Sequence, residues 1–338
     1  NFENLVHEEL LSYQVLHTYI LNRLLNGKMN YIFLDEIQQV DSFEKVLNSL
    51  FHRENVDIYI TGSNAYLLSG ELATLLSGRY VTMQVQPFSF AEYMTIESDD
   101  SRKAFHHYLN YGGFPYAVQI EKDEVFCDYM EGILNTVLVK DVLQRKKQSD
   151  TLIVESIVKF LMSSVGSLIS IKKIADTLTS MNRKTSSPTV ESYLSSLLDA
   201  FIFYKVDRYD IYGKKFLQLN SKYYVADLGL KHALLGNRRP DLEHDLENIV
   251  YLELLRRRYN VSIGNIDKQE VDFIAERSGD ILYFQVSASV LDSSTFAREI
   301  APLLKIQDNY PKYLLTLDEI PTGQDGINQI NLIDWLLN

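Results

Sequence analysis

Two adjacent carboxylates, Asp35 and Glu36, follow directly on the apolar run Tyr31-Ile32-Phe33-Leu34. A short continuous run of this kind reads as a buried parallel strand, which puts the acidic pair at the strand's C-terminal end. Carboxylates in that place have a defined chemistry. The first can hold a Mg2+ ion that bridges phosphates, and the second can polarise an attacking water. Asp35 is then the metal carboxylate and Glu36 the general base; the alternative is that both only close the strand and start the next helix. A second apolar run, Ile58-Tyr59-Ile60, ends in Thr61-Gly62-Ser63-Asn64. There Ser63 or Asn64 can orient the water or sense a phosphate. Arg79, in Leu76-Ser77-Gly78-Arg79, can stabilise charge on a transferring phosphoryl group, in the same chain or from a neighbouring subunit. An ordinary surface ion pair accounts for that arginine equally well.

The elements that must position these groups are legible in the periodicity. Phe43, Val46, Leu47, Leu50 and Phe51 follow helical spacing between the two apolar runs, giving strand, helix, strand. Such a βαβ unit implies a parallel sheet with its functional groups at the C-terminal strand ends. A helix over 66–77 and a strand at Val81–Val85 are expected to extend it. Residues 99–150 read as helices interrupted by the turn Tyr111-Gly112-Gly113-Phe114-Pro115. From 151 to 215 the pattern is three short helices and a hairpin. Ile171, Ile174, Ala175 and Leu178 mark one helix, and Ser187-Pro188 opens the next, with its face at Val190, Tyr193, Leu194, Leu197 and Leu198. Tyr204–Asp210 and Phe216–Val225 then read as strands joined through Tyr212-Gly213-Lys214, a winged-helix pattern. A helix over 243–258 ends in Arg256-Arg257-Arg258, where cations suit the helix dipole. Strands near 261–264, 270–276 and 281–288, a helix near 295–308 and the run Tyr313–Leu317 read as a separate α/β domain.

A chain of 338 residues predicts two or three domains. No apolar run approaches the roughly 20 residues of a membrane-spanning helix, so no membrane association is expected. The chain opens on the polar Asn1-Phe2-Glu3-Asn4 without a Met, which reads as a trimmed front and not as a secretory signal. The single cysteine, Cys127, excludes an internal disulfide or a cysteine-rich zinc site and suits a reducing cytoplasm. The net charge of −12 opposes general adhesion to nucleic acid. Residues 151–215 run against that balance, with nine Lys and Arg against six Asp and Glu. Lys172, Lys173, Arg183 and Lys184 flank a recognition-type helix near 188–198, so DNA and another protein are both candidate partners.

Taken together, Tyr31–Gln38, Ile60–Asn64, Leu76–Arg79 and Pro87-Phe88-Ser89-Phe90-Ala91-Glu92-Tyr93 resemble a bacterial and archaeal AAA+ ATPase family. In that family a P-loop domain precedes a winged helix and a restriction-endonuclease-like domain of uncharacterised role. The resemblance continues through Tyr111–Pro115, Tyr224–Leu230, Leu246–Leu255 and Glu270–Phe273, nearly the whole chain. It implies ATP and Mg2+ as cofactors and ring-type oligomers among relatives. One departure is large. The phosphate-cradling segment, G-x-x-x-x-G-K followed by Ser or Thr, occurs nowhere in the 338 residues. Asn1-Phe2-Glu3 reads as the tail of the family's second strand, so the loop is expected upstream of Asn1; the alternative is a degenerate member that lacks it. As it stands, this chain is not expected to turn over ATP appreciably.

The resemblance also implies a second acidic centre. Nuclease-like domains gather carboxylates from a helix and two strands around Mg2+, with a lysine two residues after the last. Glu247, with Glu253 nearby, and Asp272 match, but the expected Glu-x-Lys appears as Gln285-Val286-Ser287. A nuclease-like fold without efficient cleavage is therefore expected; a hydrogen-bonded Glu247–Asp272 pair fixing helix to sheet, or binding without cleavage, are the alternatives. The expected order is an α/β parallel-sheet P-loop domain without its N-terminal part (1–95), a helical linker (96–150), a winged helix (151–221) and a restriction-endonuclease-like α/β domain (222–338).

Overall fold

A computed structural model describes residues 1–63, 78–96, 100–143, 150–236, 241–267, 269–321 and 326–338. The chain divides into two compact units, Asn1–Gln84 with Asp199–Phe201, and Val85–Leu198 with Ile202–Asn338.

In the first unit a 3-10 turn (Leu5–Leu11) leads into α1 (Tyr13–Leu21), β1 (Asn30–Leu34), α2 (Phe43–Phe51) and β2 (Val56–Ile60). The strands pair in parallel from Asn30↔Val56 to Leu34↔Ile60, as strand–helix–strand requires. Phe43, Val46, Leu47 and Leu50 recur at i, i+3, i+4 and i+7 and are buried, each worth about 1.5–3 kcal/mol. Phe51, placed on the same face by sequence, lies at the helix end and is exposed. Ile32, Leu34, Ile58 and Ile60 pack on this core, while Phe33 and Tyr59 stack on each other 4.9 Å apart on the other strand face.

Two expectations for this unit change, and a third lies outside the described residues. Val81–Val85 is not a strand: among the described residues no strand lies beside it, and Val81, Met83 and Val85 are exposed. The helix over 66–77 falls outside the described residues. Asn1-Phe2-Glu3 is a turn and not a strand tail, because a single ladder-like bond, Phe2 N–H to the Asp35 carbonyl at 3.0 Å, does not make a strand.

The second unit begins with α3 (Phe90–Tyr93), α4 (Ser101–Tyr111), α5 (Asp123–Val137), α6 (Thr151–Met162), α7 (Ile171–Ser180) and α8 (Ser187–Asp199). Then follow β3 (Phe203–Asp210), β4 (Lys215–Val225), α9 (Leu228–Leu235), α10 (Leu242–Arg256), β5 (Asn260–Ile266), β6 (Gln269–Arg277) and β7 (Asp280–Val286). It closes with α11 (Ser293–Lys305), β8 (Lys312–Thr316), β9 (Asn328–Asn331) and α12 (Leu332–Leu337). The strands form one mixed sheet in the order β4-β3-β5-β6-β7-β8-β9. The β3–β4 hairpin is part of this sheet through parallel pairing of Arg208–Asp210 with Ile263–Asn265. The boundary expected at 221/222 lies inside β4, where Ser221 also bridges Ile169. Every residue of α10 from Asp245 to Leu254 is buried, the signature of a helix enclosed on all sides.

Candidate functional site

The first acidic pair sits where β1 and β2 end together. Leu34 pairs with Ile60, and the Thr61 N–H donates to the Leu34 carbonyl at 3.0 Å. This puts the Thr61 side chain beside Asp35: its hydroxyl donates to Asp35 Oδ1 at 2.5 Å and accepts the Glu36 N–H at 3.3 Å. Glu36 adopts the left-handed conformation at φ 57°, as does Ser42 at φ 52° just before α2. For a non-glycine residue that backbone costs about 1–3 kcal/mol and persists where surrounding bonds enforce it. Here the enforcing bonds are Ile37 N–H to the Thr61 carbonyl at 3.2 Å and Gln38 Nε2 to Glu36 Oε2 at 2.5 Å. Both carboxylates are half-buried, and the oxygen-only donor set suits a hard cation.

Of the other residues read from the sequence, Ser63 lies exposed two positions beyond Thr61, and Asn64 is outside the described residues. Arg79 is not brought to the acidic pair. Its guanidinium lies 5.0 Å from the ring centre of Phe51, at the end of α2 remote from Asp35. Thr61 was missed as a site residue although it is the first polar side chain after Ile58-Tyr59-Ile60. The parallel register that sets it against Asp35 was the available signal.

The second acidic centre is assembled from α10, β4, β6 and β7. Glu247 does not pair with Asp272. Its Oε2 accepts Lys222 Nζ at 2.8 Å and the Tyr224 hydroxyl at 2.9 Å, both from β4. Lys222 Nζ also lies 2.7 Å from Glu270 Oε1. Burial opposes the Lys222 charge, but Glu247, Asp272 and Glu270 outweigh it and hold the ammonium protonated beyond the usual lysine range. Asp272 Oδ2 accepts the Val286 N–H at 2.8 Å; burial, then the Glu247 charge, push its carboxyl well above the ordinary range. The Gln285 amide oxygen accepts the Asp272 N–H at 3.4 Å, and its amide nitrogen donates to Glu299 at 2.9 Å. Glu253 stands apart from this centre, bonded to Arg257 Nε at 2.7 Å. Among the described residues no three His, Cys, Asp or Glu side chains are grouped to hold a metal ion. Next to Glu247, Asn248 accepts the Val225 N–H at 2.8 Å and donates to its carbonyl at 3.0 Å, pinning α10 to β4.

The remaining motifs meet in a structural knot. Asp227 caps α9 through Gly229 N–H at 2.8 Å and accepts Gly113 N–H at 2.6 Å. The Phe88 N–H donates to the Gly113 carbonyl at 2.8 Å, while the Phe88 carbonyl accepts Tyr108 Oη at 2.8 Å and Arg256 Nη2 at 3.3 Å. Side chains have no room at either glycine: a Cβ at Gly112 would run into Asp227, and one at Gly113 into the Phe88 carbonyl.

Comparison with known proteins fits the geometry of the first unit. The AAA domain family matches residues 1–94, and a domain of unknown function (DUF8612) matches residues 102–241. An uncharacterized protein of Haemophilus influenzae is 40% identical over 344 residues, covering 100% of this chain and 85% of its own length. The chain belongs to the same family of AAA-domain proteins. An uncharacterized protein of the archaeon Methanocaldococcus jannaschii is 30% identical, over 72% of this chain and 58% of its own length. One from Mycobacterium tuberculosis is 25% identical, over 68% and 52%. An AAA domain implies nucleotide binding with a metal ion, and Asp35, Glu36 and Thr61 all lie inside the matched segment. No helix among the described residues is long and apolar enough to cross a membrane.

Proposed function

We propose that the complete AAA-domain protein binds and hydrolyses ATP, and that nucleotide state is relayed to its C-terminal unit. The observation that carries this reading is the acidic pair at paired parallel strand ends, held by Thr61 inside the segment that matches the AAA domain. The donor set fits Mg2+ but not the phosphates, because the 338 residues contain no G-x-x-x-x-G-K segment. A phosphate-binding loop supplied from outside these residues is therefore part of the proposal. Bound Mg2+ would neutralise charge on the β and γ phosphates. Asp35 would hold it, Thr61 would fix the Asp35 carboxylate, and Glu36 would accept a proton from the attacking water. Ser63 or Asn64 would sense the phosphate. With its guanidinium on Phe51, Arg79 is better suited to contact nucleotide in a neighbouring subunit than in its own. Mg·ATP binding by the complete protein, measured beside Asp35→Ala, tests the reading; equal affinity in both would count against Asp35.

For residues 151–221, with β4 running on to Val225, the reading is a winged helix. The order α6, Ile169–Ser221 bridge, α7, α8 and β3–β4 hairpin supports it. Lys172, Lys173 and Lys184 are exposed and offer phosphate contacts, whereas the exposed face of α8 itself carries Glu191, Ser192 and Ser195. DNA contact through the backbone is thus favoured over base readout. The competing reading, a Mg2+-dependent DNA nuclease using Glu247, Asp272 and Gln285, is opposed by Gln285 and Ser287 standing where a carboxylate and a lysine are needed. Plasmid cleavage that survives Glu36→Gln but fails in Asp272→Ala would favour it.

A further inference from the structure

In the second unit Lys222 joins two carboxylates, the buried Glu247 and the partly exposed Glu270, and the buried Asp272 lies near enough to feel the Glu247 charge. Carboxylates buried side by side repel each other and need a cation. In a working nuclease-like centre that cation is a metal; here the structure supplies another. Lys222 enters from β4, is 3% exposed, and reaches Glu247 Oε2 at 2.8 Å and Glu270 Oε1 at 2.7 Å. The Glu247 oxygen it binds is shared with the Tyr224 hydroxyl at 2.9 Å. Asp272 Oδ2 is engaged by the Val286 N–H, and the Gln285 amide oxygen by the Asp272 N–H. One oxygen at each candidate ligand position is therefore already committed to a donor of this chain.

We infer that the Lys222 ammonium is the resident cation of this centre, standing in for a divalent metal, so that the second unit folds and acts without one. The exchange fits the sequence. Ser287 carries no cation two residues after Gln285, and Gln285 carries no negative charge; Lys222 supplies one positive charge from β4. A lysine buried against two carboxylates is also fixed in place, unlike a surface lysine, so it serves the fold as a cross-brace between β4, β6 and α10. This inference is independent of the ATPase reading, since it concerns only the second unit.

The test uses the whole chain carrying Asp35→Ala, which removes the first acidic pair as a metal site. Its unfolding midpoint is compared in EDTA and in millimolar Mn2+, alone and with Lys222→Ala. The parent is expected to be indifferent to Mn2+. Lys222→Ala is expected to unfold about 10 °C lower in EDTA and to recover several degrees in Mn2+. A rise with Mn2+ in the parent that Glu247→Gln abolishes would overturn the inference, as would a folded Lys222→Ala that Mn2+ leaves unchanged. If Lys222→Ala does not fold, Lys222→Met combined with Glu247→Gln decides. Recovery of most of the parental midpoint in that double variant supports the internal cation, and failure to improve on Lys222→Met alone contradicts it.

Discussion

The Thr61 hydroxyl donates to Asp35 Oδ1 across the paired ends of β1 and β2, and on its other side accepts the Glu36 N–H. One side chain on the neighbouring strand thereby fixes both members of the acidic pair, 25 and 26 residues away in sequence. The strained backbone of Glu36 is part of the same arrangement.

Thr61→Val keeps the shape and removes the hydroxyl. In the complete protein this is expected to lower ATP turnover about tenfold, the effect of losing roughly 1.4 kcal/mol from a charged hydrogen bond. Thr61→Ser should restore most of it. Steady-state kinetics on the three proteins check this, and an unchanged Thr61→Val would remove Thr61 from the site.

Gly112 takes φ 73° with its Cα facing the Asp227 carboxylate. Gly112→Ala is expected to destabilise the second unit by at least about 2 kcal/mol, combining backbone strain with displacement of Asp227. Denaturant unfolding reads this directly, and a cost below about 0.5 kcal/mol would mean the knot is not rigid.

Burial pushes the Asp227 carboxyl from 3.8 up to about 6, against the two backbone N–H bonds that lower it. Because the folded value is the higher, the folded chain holds the extra proton between these two values. Stability from this group is complete below about pH 3.8 and is lost as pH rises through about 6, amounting to about 3 kcal/mol. Asp227→Asn removes the titration but offers one acceptor to two N–H groups. The variant should therefore be most damaging in acid, with its cost about 3 kcal/mol smaller near pH 7 than near pH 4. Unfolding curves for both proteins across that range check the sign; a cost that grows with pH would contradict the assignment.

Lys172 and Lys173 carry the proposed DNA contact. Replacing both with Ala should weaken binding to duplexes of unrelated sequence equally, and flatten the log–log salt dependence by about 0.9 for each phosphate no longer neutralised. Fluorescence anisotropy at several salt concentrations measures both quantities. Binding that keeps its slope would leave a protein partner as the better reading.

The local fold of the first unit was legible because it is written in contiguous residues. The apolar run ending in Asp35-Glu36, the helical spacing of Phe43 to Leu50 and the second run ending at Ile60 formed strand, helix and strand, but the first strand is not buried on both faces: Tyr31 and Phe33 are exposed. The groups that complete each centre were harder to read, because they come from other strands. Lys222 lies 25 residues from Glu247, whereas the sequence pattern directs attention to Ser287. Asp227 meets Gly113 across 114 residues, and neither residue's type announces the other. Val81–Val85 alternates like a strand, yet periodicity cannot tell whether a neighbouring strand exists to pair with it. β9 is only four residues long, too short for a periodic signal.

The most direct test of the central claim is ATP turnover by the complete protein, including the proposed phosphate-binding loop, measured beside Glu36→Gln and beside the 338-residue chain alone. Turnover is expected in the complete wild type, with a loss of at least about a hundredfold in Glu36→Gln and none above background in the shorter chain. Turnover that Glu36→Gln leaves intact, or none in the complete wild type, would contradict it.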